Sequence, residues 1–204
     1  MGLHRKLTSE YLKGGSKMDI ENHEGLLKKL QTNYPAIVLD GAVNNEEWGK
    51  LTENRILWVL KETNDYAGDL RELLRQFADA SDPNKIYKNW KNTYGAVVQV
   101  SYGILNGCLE WEEWAEKVNE IRKTLHKIAV LNVNKLGGKE RTDMSKLKES
   151  PKENFTLKQI DLIDPDIVIL GGVVDVILWP KNDSKRKWIP TDHPGQTTVT
   201  HKEY

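Results

Sequence analysis

The sequence predicts an α/β fold: a three-layer α/β/α sandwich around a central, mainly parallel, four-stranded sheet. Three observations carry that prediction. The runs "ILWVL", "IAVLNVN" and "IVILGG" are apolar almost throughout and rich in Val, Ile and Leu, as strands covered on both faces are. The segments between them repeat their apolar residues at helical spacing. Each run then breaks into polar residues or a glycine pair, as when strands alternate with helices and present reactive groups at their carboxyl ends.

The elements follow in order. Residues 20–33 read as a helix with Leu26, Leu27 and Leu30 on one face. "AIVLDG" (36–41) is a short strand or extended segment ending in a turn, and "NNEEWGKL" is a helical turn. Residues 56–61 form the first strand. Residues 68–79 form an amphipathic helix through Leu70, Leu73, Leu74 and Phe77, broken by "ASDPN". Residues 85–108 and 110–125 read as helices. Residues 128–134 are the second strand, and 135–150 are a polar, mostly basic loop. Residues 154–164 are a helix ended by Pro165, and 167–172 are the third strand. "VVDVILW" reads as a helix, and a charged excursion then leads to a fourth strand and a His-Pro turn. No linker divides the chain, so residues 20–204 are expected to form one domain after a polar arm, 1–19. That arm reads as native sequence or as an appended leader.

Composition excludes several function classes. The 204 residues hold 30 basic and 30 acidic side chains, so no global field draws the protein to DNA or an anionic membrane. One cysteine, Cys108, excludes a disulfide framework, a Cys-rich zinc site and a four-cysteine iron–sulfur cluster. It fits a reducing cytoplasm. No apolar stretch is long enough to span a bilayer. The expected localisation is cytoplasmic, and no metal or organic cofactor is implied.

Chemistry gathers at the predicted strand ends. After the first strand come Glu62, Asn64 and Asp65. A carboxylate there holds and deprotonates a water; the plainer reading has Asn64 or Asp65 capping the next helix. Asn132 and Asn134 interrupt the second strand, where an unpaired amide costs about 1–3 kcal/mol. An amide offers a donor and an acceptor side by side, so these read as base-reading groups or as core amides satisfied by a loop. His193 precedes Pro194, which fixes the backbone beside the ring. A neutral imidazole there donates one hydrogen bond to a departing anion, although a lone histidine is more often structural. Tyr66, Trp90 and Tyr94 are aromatic candidates for stacking on a flat ligand, with core packing as the default for the two at helical spacing. Lys135, Lys139 and Arg141 in the first basic run, and Lys185 and Arg186 in the second, are candidates for phosphate contact, against the ordinary reading of a solvated surface. The Gly171-Gly172 pair permits close approach at a strand end and matches no phosphate-loop pattern.

In this order the pieces resemble the uracil-DNA glycosylase superfamily. The resemblance rests on "WVLKETND", "VLNVNKLGG", "PDIVILGG" and "TDHPGQ", and covers residues 56–196. It implies a motif-one acid at Glu62, with Asn64 or Asp65 as the competing assignment. It implies a base-reading Asn132, with Asn134 its alternate, and a motif-two His193. The stacking aromatic is Tyr94, Trp90 or Tyr66. Two departures stand out: no proline follows the acid, and Gly195-Gln196 replaces the usual serine. The implied activity is hydrolysis of the N-glycosidic bond of uracil or a modified base, including a bulky viral cytosine, in DNA repair or antiviral defence. The alternative is a non-catalytic nucleic-acid or nucleotide-binding module on the same fold. Lack of G-x-S-x-G argues against a serine hydrolase.

Overall fold

The computed structural model describes residues 19–63, 66–86, 88, 90–107, 113–135, 153–177, 179–180 and 183–195. Helix α1 (Ile20–Asn33) starts at Asp19, whose carboxylate accepts the Asn22 N–H. Strand β1 (Gly41–Ala42) and helix α2 (Asn45–Lys50) lead to β2 (Ile56–Leu60). Helix α3 (Leu70–Asp79), a 3-10 turn over Pro83–Lys85, α4 (Trp90–Asn106), α5 (Glu113–Glu116) and α6 (Val118–Lys123) come next. After a second 3-10 turn (Thr124–Lys127) come β3 (Ile128–Asn132), α7 (Glu153–Ile163), β4 (Ile167–Gly171) and β5 (Lys187–Thr191).

The sheet runs β1-β3-β2-β4-β5. The last four are mutually parallel, and β1 lies antiparallel against β3. The sheet is therefore mostly parallel, as expected, but has five strands among the described residues rather than four. Two residues, Gly41 and Ala42, are too few for periodicity to reveal. Their strand exists because β3 has an edge to pair, with Gly41 opposite Val130.

Strand β2 is buried at all five positions, which explains its unbroken apolar run. Ile56, Trp58 and Leu60 enter one cluster with Leu70, Leu74 and Phe77 of α3 and Val97 of α4. Leu57 and Val59 enter another with Trp48, Ile160 and Ile163. Trp58 donates its indole N–H to Ser101 at 3.0 Å, so its polar edge is satisfied inside the core.

Three helical expectations are corrected. The helix expected over 85–108 is α4 alone, preceded by the 3-10 turn. That over 110–125 is broken at Lys117, whose ψ of 10° leaves the helical range. "VVDVILW" makes only turns over 174–176. Val173, Val176 and Ile177 are β-branched and buried, and Pro180 follows closely, so the turn does not propagate into a helix.

Candidate functional site

Register brings the strand ends together. Leu60 pairs with Asn132, and Gly171 with Thr191, so the segments after β2, β3, β4 and β5 leave from one edge. Backbone bonds continue past the ladder. Val133 N–H donates to the Leu60 carbonyl at 2.9 Å, and Asn134 N–H to the Lys61 carbonyl at 2.8 Å. This holds Glu62 beside Asn134, whose side-chain amide donates to Glu62 Oε2 at 2.8 Å. Glu62 Oε1 is buried with no hydrogen-bond partner among the described residues. The carboxylate is thus fixed through one oxygen and has an acceptor left over, the arrangement that holds a water.

Asn132 is 1% exposed. It lies in phase with Ile128 and Val130, which face the α3–α4 cluster. Its backbone N–H donates to Asp40 Oδ2 at 2.7 Å, while its side-chain Nδ2 is buried without a partner among the described residues. Asn134 lies beyond the strand, in a bend, so the two amides do different work: Asn134 orients Glu62, and Asn132 keeps a donor.

The glycine pair explains how the His-Pro turn closes on this edge. A Cβ on Gly171 would come within 2.7 Å of Leu60 Cδ2 and 3.0 Å of Pro194 Cδ. One on Gly172, where φ is +69°, would come within 2.8 Å of His193 Cβ and 3.2 Å of Lys61 Cε. Only the smallest residue admits both approaches. His193 Nδ1 accepts the Gly195 N–H at 3.1 Å, so the neutral ring carries its proton on Nε2. Burial, with a smaller contribution from the Lys61 charge, pushes its pKa down to about 4. The ring is neutral at ordinary pH and presents a donor. Gly195 sits on the first turn of α4, where a Cβ would meet Thr93 Oγ1 at 3.0 Å.

The remaining candidates separate. Asn64, Asp65, Lys139 and Arg141 lie outside the described residues. The cap of α3 is Asp69, whose carboxylate accepts the N–H groups of Arg71 and Glu72, not Asn64 or Asp65. Tyr66 is folded over its own turn: its carbonyl accepts from Thr63 Oγ1, and its hydroxyl donates to the Asp69 carbonyl, both at 2.9 Å. Trp90 and Tyr94 are core residues, with ring centroids 6.1 and 6.0 Å from Phe77. Three phosphate-contact candidates stand in internal ion pairs. Lys135 is buried and bonds both oxygens of Asp40, at 2.8 and 2.7 Å. Lys185 pairs with Asp164, and Arg186 with Asp161 at 2.8 Å. Both precede β5, so they stand at the amino edge of the sheet, opposite His193.

Sequence reasoning missed the buried group behind Asn132. Asp40 also accepts from Gln159 Nε2 at 3.3 Å, and Gln159 Nε2 lies 3.1 Å from His23 Nε2. Only "LDG" hinted at it, and that reads as a turn. Among the described residues no cluster of His, Cys, Asp and Glu suits a metal ion, and no helix is long and apolar enough to cross a membrane. Comparison with family models, curated proteins and solved structures finds no match to this chain.

Proposed function

We propose that this chain is a DNA glycosylase that hydrolyses the N-glycosidic bond of uracil or a modified base, including a bulky modified cytosine, leaving an abasic site. Its biological setting on this reading is base-excision repair or defence against modified viral DNA. The observation that carries it is the meeting, at one edge of a mostly parallel sheet, of a fixed carboxylate, a buried amide whose donor has no partner among the described residues, and a neutral histidine with its proton on Nε2. In the proposed reaction an extruded nucleotide enters this edge. Asn132 bonds the base, and His193 donates to the anion that develops on it. Glu62 steadies the oxocarbenium-like sugar and directs water to it. Helix-lined clusters on both faces of the sheet support a three-layer sandwich as the scaffold.

The test is base release from a panel of DNAs carrying uracil, hypoxanthine, oxidised bases, and hydroxymethylated or glucosylated cytosine, with alkali cleavage revealing abasic sites. Wild type is expected to act on one substrate class. Glu62→Gln and His193→Ala are each expected to lose about a hundredfold or more, the scale of removing one charge-stabilising group. Full release by both variants would overturn the roles of Glu62 and His193. A second reading, a nucleotide-binding module without cleavage, is favoured by one observation: Lys135, Lys185 and Arg186 are tied into internal ion pairs rather than spread as a nucleic-acid grip. Binding without release across the panel would select it.

A further inference from the structure

Lys61 is the first residue beyond β2 and is half-buried. Its carbonyl is fixed by the Asn134 N–H, and its stem runs beside Gly172 and His193. Among the described residues it has no carboxylate partner. Its chain neighbour Glu62 turns to Asn134 instead, and the first turn of α4 carries no acid. Among the described residues the other basic candidates are paired with carboxylates: Lys135 with Asp40, Lys185 with Asp164, and Arg186 with Asp161. A lysine whose stem reaches this edge, with no counter-ion among the described residues, suits an incoming anion. Lysine is a compact point charge with three donors, fitted to a phosphate oxygen.

We propose that Lys61 is the phosphate-binding group of this edge and seats the phosphate of the nucleotide whose base enters the site. The proposal rests on reading the edge as a nucleotide site, and its test is binding rather than cleavage. It makes Lys61 a substrate-positioning group: phosphate contacts set register and orientation, while base contacts select.

The full chain is titrated against fluorescein-labelled oligothymidine at several salt concentrations, and against thymidine 5′-monophosphate and thymidine by calorimetry. Lys61→Met is expected to weaken oligonucleotide binding by about tenfold, the effect of losing one charged hydrogen bond. It is also expected to lower the slope of log K against log salt by about 0.7, one phosphate contact on a single strand. Lys61→Arg is expected to restore both, since it keeps the charge. If the phosphate belongs instead to a free nucleotide, the monophosphate shows the Lys61-dependent loss, thymidine does not, and the oligonucleotide slope is unchanged. Either pattern supports the proposal. Wild type that binds neither probe, or Lys61→Met with unchanged affinity for both and an unchanged slope, overturns it. Base release measured in parallel keeps the two readings separate: phosphate binding through Lys61 without base release sinks the glycosylase and leaves this proposal standing.

Discussion

Asp40 is fully buried and accepts from three residues: Asn132 N–H at the end of β3, Lys135 Nζ beyond it and Gln159 Nε2 of α7. It connects the proposed base reader to the interior. Asp40→Ala leaves the Lys135 ammonium buried without its counter-charge, and removing one partner of a buried pair costs about 3–5 kcal/mol. Urea unfolding is expected to show that loss. The double variant Asp40→Ala, Lys135→Met is expected to recover part of it, because the buried charge is gone. If the double variant is as unstable as the single one, the ion pair is not the source. At this scale the sequence was legible where a residue's chemistry is local. Glu62, Asn132 and His193 stand out in "KETND", "NVN" and "DHPG". Lys135 did not, because its role depends on a carboxylate 95 residues away.

Among the elements, the strands were the most legible and the short helices the least. The side chains of strands β2, β3 and β4 enter two buried apolar clusters, and that leaves an unbroken run in the sequence. Helix α3 shows a different limit. Its apolar face at Leu70, Leu74 and Phe77 was readable, but its cap was not, since Asn64 and Asp65 offer the same chemistry. The chain uses Asp69, which accepts the Arg71 N–H at 2.9 Å and also holds the Arg71 guanidinium. Asp69→Ala is expected to destabilise the protein by about 1 kcal/mol or somewhat more, the usual effect of losing a carboxylate cap. Asp69→Asn, which keeps the cap and loses the ion pair, is expected to lose less. Guanidinium unfolding ranks the two, and equal losses would show that the ion pair with Arg71 dominates.

Across the whole molecule, buried His23 and half-buried His193 set a common pH response. His23 is pushed down to about 4, chiefly by burial, with Asp40 and Glu24 opposing and Arg71 and Lys135 adding to the shift. His193 is pushed down to about 4 by burial and Lys61. Both stay neutral in the folded chain between pH 6.5 and 4, while the unfolded chain takes up protons there. The unfolded state therefore binds more protons, and stability falls as pH falls through that window. Each histidine contributes a slope of up to about 1.4 kcal/mol per pH unit. Melting temperatures at pH 7, 5.5 and 4.5 are expected to drop progressively. His23→Gln and His193→Asn are each expected to flatten the drop, because each removes one proton taken up on unfolding. An unchanged pH dependence in both variants would place the acid sensitivity elsewhere.

By itself the sequence determined the α/β class, the positions of three buried strands and the order in which a carboxylate, an amide and a histidine appear along the chain. All of these are local. A strand covered on two faces must be apolar at every position, and polar groups must collect where it ends. Only the tertiary structure decided what lies across space. It added β1 along the free edge of β3, buried Lys135 against Asp40, and tied Tyr66 to its own turn. It also set Lys185 and Arg186 at the amino edge. Sequence order shows that those two stand next to a strand. Which edge they stand at follows from strand direction in the sheet, because in a parallel sheet the residue before a strand and the residue after it lie a full strand length apart.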